Sequence, residues 1–285
     1  MDLEEPKVSY ISKEALICPV CDTEFHREEL LSGSGRLIAG NITDELHRLY
    51  EPSARYGDVY PLVYQATVCP ECWFASMDKE DFSFLPVQAQ SALLRDKDER
   101  IAETSLVFPG VDFYENRNLA SGAASLYLAS RCYDYFPKEA SPTIKQGIAC
   151  LRTAWLCEAL HTKNPGEHYD WLAMLFKKKA QFLYAEAVEQ EQTGTEPLSA
   201  VKNFGPDTDK NYGYDGMLYL SALLKVKYGP RGNPQRRKAY LSDAKRIIAR
   251  IFGLGKSSKN KPGPLLEHAR NIYNEISKEL NEFDE

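Results

Sequence analysis

A mainly α fold carrying a small β-containing module at its N-terminus is what the 285-residue sequence predicts, and three observations carry that expectation. Two CxxC pairs stand near the start, in ICPVCDTEF (Cys18 and Cys21) and in VCPECWFAS (Cys69 and Cys72). From about Asn118 onward apolar residues recur at helical spacing. Strand signals nearly vanish beyond the second cysteine pair.

The cysteine pairs come first in the chain. Thiolates at positions i and i+3 meet one ion because the turn between them aims both sulfurs the same way. Pro19 and Pro70 stiffen those turns, and the N–H groups after them are free to donate to sulfur. Two such turns brought together supply the tetrahedral four-sulfur shell of a structural Zn2+ site, with Cys18, Cys21, Cys69 and Cys72 as ligands. Iron in a rubredoxin-like arrangement is the less favoured alternative, since four thiolates suit either metal. The segment between the pairs exceeds the ~15–20 residue spacer of compact zinc ribbons, so a sub-structure must fit there. SGSGR reads as a turn, ITDELHRLY as a short helix, and VYPLVYQATV as a strand. His26 and His47 read as surface residues, because four thiols already complete a shell. A closed shell leaves no position for substrate, which argues against zinc catalysis. The expected boundaries are a zinc-ribbon-like module over residues 1–85 and a helical domain over 86–285.

Helices follow. One begins near Pro86, where proline suits a first turn. In SPTIKQGIACLRTAWLCEAL, Ser141 is a candidate cap, Pro142 a first helical residue, and Ile144, Ile148, Leu151 and Trp155 form one stripe. Similar stripes run through Leu172–Leu183, Met217–Leu224, Leu241–Ile251 and Leu266–Leu280. The helices pair across short connectors, with small residues such as Gly122, Ala123, Ser221 and Ala222 where two could approach closely. This is the pattern of degenerate tetratricopeptide-like helical hairpins, of irregular period. Cys132, Cys150 and Cys157 lie on apolar helix faces and read as core. The Gly/Pro/Asp-rich stretch 193–216 has no period and reads as a disordered loop or one that orders on a partner.

Composition limits function. Hydrophobic residues make up 43% and charged residues 27%, a globular balance. No apolar run reaches the ~18–20 residues of a membrane span, so no membrane insertion is expected. The acidic start MDLEEPKVSY has no secretory pattern, which points to the cytoplasm, where thiols stay reduced. Net charge is −6, yet residues 225–261 hold twelve Lys or Arg against one acid, Asp243. Lys225, Lys227, Arg231, Arg236, Arg237, Lys238, Arg246 and Arg250 are therefore candidate partner-binding residues. The acidic C-terminal helix, with Glu267, Glu275, Glu279 and Glu282, is positioned to neutralise part of that charge. A protein or acidic peptide fits this segment best, and nucleic acid second. No phosphate loop, nucleophile elbow or HExxH motif is present. GLGKSS follows a helix and reads as its C-terminal cap and loop, and His161 and His168 flank a solvated turn. A non-catalytic adaptor or scaffold is the expected function, a nucleic-acid-binding zinc ribbon the first alternative, and an enzyme the second.

CPVC, VYQATVCPECWFAS, DFYENRNLASGAASLYLASRCY and the helix YLSALLKVKYG together resemble the bacterial family known as domain of unknown function 2225. The resemblance spans roughly residues 15–280. It implies a paired-CxxC, metal-binding segment followed by tetratricopeptide-like helices, and it implies no activity. The chain departs from the family pattern at Trp73, where glycine is usual, and in a longer, basic connector in its last hairpin.

Overall fold

The computed structural model describes residues 7–208, 210–253 and 263–283. Three antiparallel hairpins open the chain: β1 (Ser9–Ile17) with β2 (Glu24–Leu30), β3 (Ile38–Ile42) with β4 (Arg48–Glu51), and β5 (Thr67–Val68) with β6 (Ala75–Ser76). Eight α-helices follow among the described residues: α1 (Val87–Arg95), α2 (Lys97–Val107), α3 (Leu119–Cys132), α4 (Pro142–Lys163), α5 (Tyr169–Thr193), α6 (Gly213–Tyr228), α7 (Pro234–Gly253) and α8 (Gly263–Glu282). No strand occurs after β6 among the described residues, so the mainly α architecture with a small β-containing N-terminal module agrees with the expectation.

A two-stranded sheet is marginal alone in water. Each hairpin here is supported from outside, because one continuous core runs from Cys18, Phe25, Phe74 and Phe82 through α3 and α4 to Ile276 of α8. From α3 to α8 every helix packs on the next, and α6 also meets α8. Their lengths differ widely, from 14 residues in α3 to 25 in α5, so consecutive hairpins stack without a fixed repeat. The centre is α4, with Ile144, Ile148, Leu151 and Trp155 all buried as the stripe predicts. Gly147 lets α5 approach: a methyl group there would stand 3.0 Å from the Tyr184 ring.

Several local expectations are corrected. ITDELHRLY is not helical but forms the turn between β3 and β4. Its Ile42, Leu46 and Tyr50 have helical spacing, yet Leu46 adopts the left-handed region (φ 61°) and the Thr43 hydroxyl accepts from the His47 N–H at 3.2 Å. In VYPLVYQATV, Pro61 opens a 3-10 turn (Pro61–Tyr64) and only Thr67–Val68 joins a ladder. Gly122 meets that turn, at Val63, and not a neighbouring helix. Pro86 precedes α1 as its N-cap, with extended backbone.

Ser141 makes no cap. Its φ is 54°, and its hydroxyl donates instead to the Pro197 carbonyl. Glu196 does the work from 53 residues away: its carboxylate accepts from the Thr143 N–H (2.7 Å) and hydroxyl (2.8 Å), and from Lys138 Nζ (2.8 Å). The described part of the stretch after α5 is thus held against the start of α4. Arg152 donates to the carbonyls of Pro206 (2.7 Å) and Gly205 (3.3 Å), binding the segment across α4. No described helix is long and apolar enough to cross a membrane.

Candidate metal centre

The two cysteine turns have the same local structure. Cys18 N–H donates to the Thr23 carbonyl and Asp22 N–H to the Cys18 carbonyl, each at 2.9 Å; Cys69 to Phe74 and Trp73 to Cys69 repeat both bonds at the same length. The residue after each second cysteine is left-handed, with φ 60° at Asp22 and 56° at Trp73. Glycine adopts that conformation most easily, and neither position has it. Trp73 offsets some of the strain through an edge-on contact with Phe113, ring centroids 5.0 Å apart.

β1–β2 and β5–β6 aim the turns at each other. Cys18 Sγ lies 3.5 Å from Cys72 Sγ, and Cys21 Sγ lies 3.6 Å from Cys69 Sγ. All four sulfurs fall within 4.8 Å of one another, and none is in a disulfide. Zn–S bonds of ~2.3 Å in a tetrahedron place sulfurs ~3.8 Å apart, so the four are within reach of a single metal ion. Cys18, Cys69 and Cys72 are fully buried, and Cys21 is half-buried. The Val20 N–H donates to Cys18 Sγ at 3.4 Å, as the sequence suggests for the residues after each proline.

Electrostatics couples three of the four thiols. Hydrogen bonds from Cys18 and then Cys72 hold Cys69 far below the usual thiol range, helped by the N–H groups of Cys72 and Glu71. Its hydrogen bond with Cys69 in turn pushes Cys18 up to about 12, and Cys72 is also raised, first by Cys18. Lowering one thiol thus raises two of its neighbours. A metal cation would supply the positive charge that lets all four become thiolates.

The surroundings fix the centre to the helices. Arg100 of α2, nearly fully buried, donates to the Cys72 carbonyl (2.6 Å) and the Leu93 carbonyl (2.9 Å). The Ala75 N–H donates to Cys132 Sγ at 3.4 Å, joining β6 to α3. Cys132, Cys150 and Cys157 lie far from being ligands. Burial pushes their thiols up to about 11, 11 and 12, as befits packed hydrophobes.

The basic candidates do not form one free face. Arg237 is buried, with its guanidinium held in a two-bond pair with Glu279 (2.6 and 2.8 Å) and on the Val226 carbonyl. Lys225 pairs with Asp243, and Lys227 with Asp44 (2.8 Å) and Glu45 (3.4 Å). Arg236 sits over Tyr240, and Lys238 is half-buried. Arg231, Arg246 and Arg250 are exposed, although Arg246 reaches Asp243 (3.1 Å) and Arg250 reaches the Tyr214 hydroxyl (3.3 Å). Lys256, Lys259 and Lys261, and nearly all of GLGKSS, lie outside the described residues.

Sequence reading missed a polar cluster. His47, expected at the surface, stacks on Trp155 (4.2 Å between rings) and bonds Asp207 through Nδ1 at 2.5 Å. Beside it the buried Glu45 accepts from Trp155 Nε1 (2.7 Å) and Tyr228 (2.5 Å), with Lys177 at 3.4 Å. No local motif announces these contacts, because each joins residues more than a hundred positions apart.

A four-cysteine centre braced against stacked helices defines a protein with a candidate metal-binding module on a helical body. The family model described as "Uncharacterized protein conserved in bacteria (DUF2225)" matches residues 11–276, and the chain belongs to that family. An uncharacterized protein of Borreliella burgdorferi is 42% identical over 274 residues, covering 96% of this chain and 98% of that protein. No solved structure matches.

Proposed function

We propose that Cys18, Cys21, Cys69 and Cys72 hold one structural Zn2+ in a cytoplasmic protein whose tetratricopeptide-like helical body is a non-catalytic scaffold for another protein. The observation that carries this reading is the closed four-sulfur set, buried at three of its four cysteines. Such a shell leaves no coordination position for water or substrate, so the metal acts as a staple for hairpins too small to stand alone. Recognition then falls to the helical surface.

The groove between α5 and α7, about 740 Å³ in volume, supports the scaffold half of the reading. Phe182, Val188 and Ile247 supply apolar lining, Glu186 and Glu189 stand on the α5 side, and Arg246 and Arg250 on the α7 side. Phe182 is 61% exposed, and Trp171 and Met174 continue an uncovered apolar stripe along α5. A partner segment with apolar anchors and acidic residues turned toward α7 matches that lining. The internal pairing of Lys225, Lys227 and Arg237 weighs against a nucleic-acid surface, which draws on unpaired cations.

Elemental analysis of reduced, tag-free protein tests the staple: one zinc per chain and a colourless solution are expected, whereas bound iron absorbs visibly. Crosslinking mass spectrometry from native lysate tests the scaffold. A partner crosslinked near α5 and α7 should be lost on Arg246→Glu with Arg250→Glu. Retention on RNA that falls with salt, with no such partner, would replace this reading by the nucleic-acid one.

A further inference from the structure

Lys145 lies in the first turns of α4 and is only 9% exposed, yet among the described residues its ammonium has no hydrogen bond and no ion pair. Its neighbours are the Tyr133 ring, 5.6 Å away, and the Asp81 carboxyl, which attracts it from beyond ion-pair distance. Two turns along the same helix face, Arg152 is 7% exposed and also lacks a paired carboxylate. Its guanidinium donates only to the carbonyls of Pro206 and Gly205 and to Met77 Sδ. Asp207 attracts Arg152 from farther off, but its carboxylate is taken by His47 and by the N–H groups of Arg48 and Thr208. Burying a cation without a partner is costly.

Both side chains line a pocket of about 260 Å³ together with Gln65, Met77, Tyr133 and Asn203. The N-terminal module, the end of α3, α4 and the segment after α5 all meet there. Two acids stand close. Asp78 is on the pocket wall and accepts from the Glu80 N–H (3.0 Å), while Asp81 accepts from the Ser76 hydroxyl; Asp81 attracts Lys145 electrostatically, but neither acid forms a direct ion pair with it. Lys202, also on the wall, is engaged by Glu80 at 2.5 Å.

We propose that this pocket binds a small phosphate-bearing anion, with Lys145 as its direct charge partner and Arg152 as a fixed positive background. A phosphate group carries about −1.5 to −2 charges near neutral pH and suits two cations. Lysine serves it as a point charge with several donors, and the Gln65 and Asn203 amides offer further N–H groups at the wall. The volume falls just below the ~300–1,000 Å³ of drug-sized ligand sites, which limits the occupant to a small one.

Calorimetric titration of the metal-loaded full chain tests this, using inorganic phosphate, glycerol 3-phosphate and succinate in chloride at matched ionic strength. Saturable binding of a phosphate is expected, weakened at least about ten-fold by Lys145→Met, the loss of one charged hydrogen bond. Tighter binding of glycerol 3-phosphate would assign the site to an organic ester, and equal binding to the phosphate group itself. Lys145→Met should keep its metal and, without phosphate, its wild-type circular dichroism spectrum, since Lys145 forms no direct ion pair or side-chain hydrogen bond that holds the fold. Absence of saturable binding, binding untouched by Lys145→Met, or a preference for succinate would overturn the proposal.

Discussion

Gly122 of α3 lies directly against Val63 of the 3-10 turn: a methyl group on Gly122 would stand 2.8 Å from the Val63 Cα and 2.9 Å from its Cγ2. The nearest atom is backbone, which cannot rotate out of the way. Gly122 therefore sets how closely the segment leading to the second cysteine pair approaches the helices. Gly122→Ala should destabilise the chain by about 1–3 kcal/mol, the usual cost of overpacking, although alanine is the better helix former. Urea unfolding measures it, and a neutral or stabilising result would show that the contact yields.

Glu196 offers a second test, because it caps a helix to which it is not adjacent. Its carboxylate serves two donors of Thr143 and the Lys138 ammonium. Glu196→Ala should cost about 1–3 kcal/mol, for a lost cap and a buried N–H left unsatisfied. Hydrogen exchange should rise over 194–208 and at the start of α4, while the metal content stays unchanged. Exchange that rises equally everywhere would contradict a local role.

These two contacts mark where sequence reading stops. The four metal-candidate thiols were legible because proximity within each pair is enforced by a chain separation of only three residues, and their chemistry has few other uses when none is in a disulfide. The α4 stripe was legible for a similar reason, since helical period and burial agree residue by residue. The β3–β4 turn was not, because Ile42, Leu46 and Tyr50 have the spacing of a helix and only the left-handed Leu46 breaks it. The basic segment looked freer than it is, since Asp44 and Glu45, which neutralise Lys227, stand about 180 residues earlier. Glu279 was the exception: its helix was recognisably acidic, and it does neutralise Arg237.

Removal of the metal should act unevenly. With Cys69→Ala, or after chelation, protection from exchange should fall over the hairpins of residues 7–76 and persist in α5–α8, which owe their packing to one another. Cys157→Ala is the control: it should leave metal content intact and cost about 1 kcal/mol or a little more as a small cavity. Equal metal loss in both variants would mean that the bound ion is not at the four-thiol site.

Stability should also fall in acid, and Glu45 locates one cause. Burial raises its acidity constant's pKa, but Lys177, Trp155, Tyr228 and Lys227 outweigh that, and the net shift is downward. A carboxyl whose folded pKa lies below its unfolded value, ~4.3, stabilises the protein above that value. The contribution is then lost as pH falls through the folded pKa. Asp207 is also lowered: burial opposes, but the His47 hydrogen bond and the N–H groups of Thr208 and Arg48 prevail, so it acts with the same sign. Melting temperature should therefore hold steady between about pH 7 and 5 as far as these groups are concerned, and decline below about pH 4. Glu45→Gln should destabilise at neutral pH by about 1–3 kcal/mol, because Trp155 and Tyr228 lose a charged acceptor while Lys177 and Lys227 keep only the more exposed Glu158 and Asp44, and should flatten the acid decline. Parallel melting curves for wild type and Glu45→Gln from neutral pH to pH ~3 would rule Glu45 out as a contributor, since a group that does not titrate cannot change the slope.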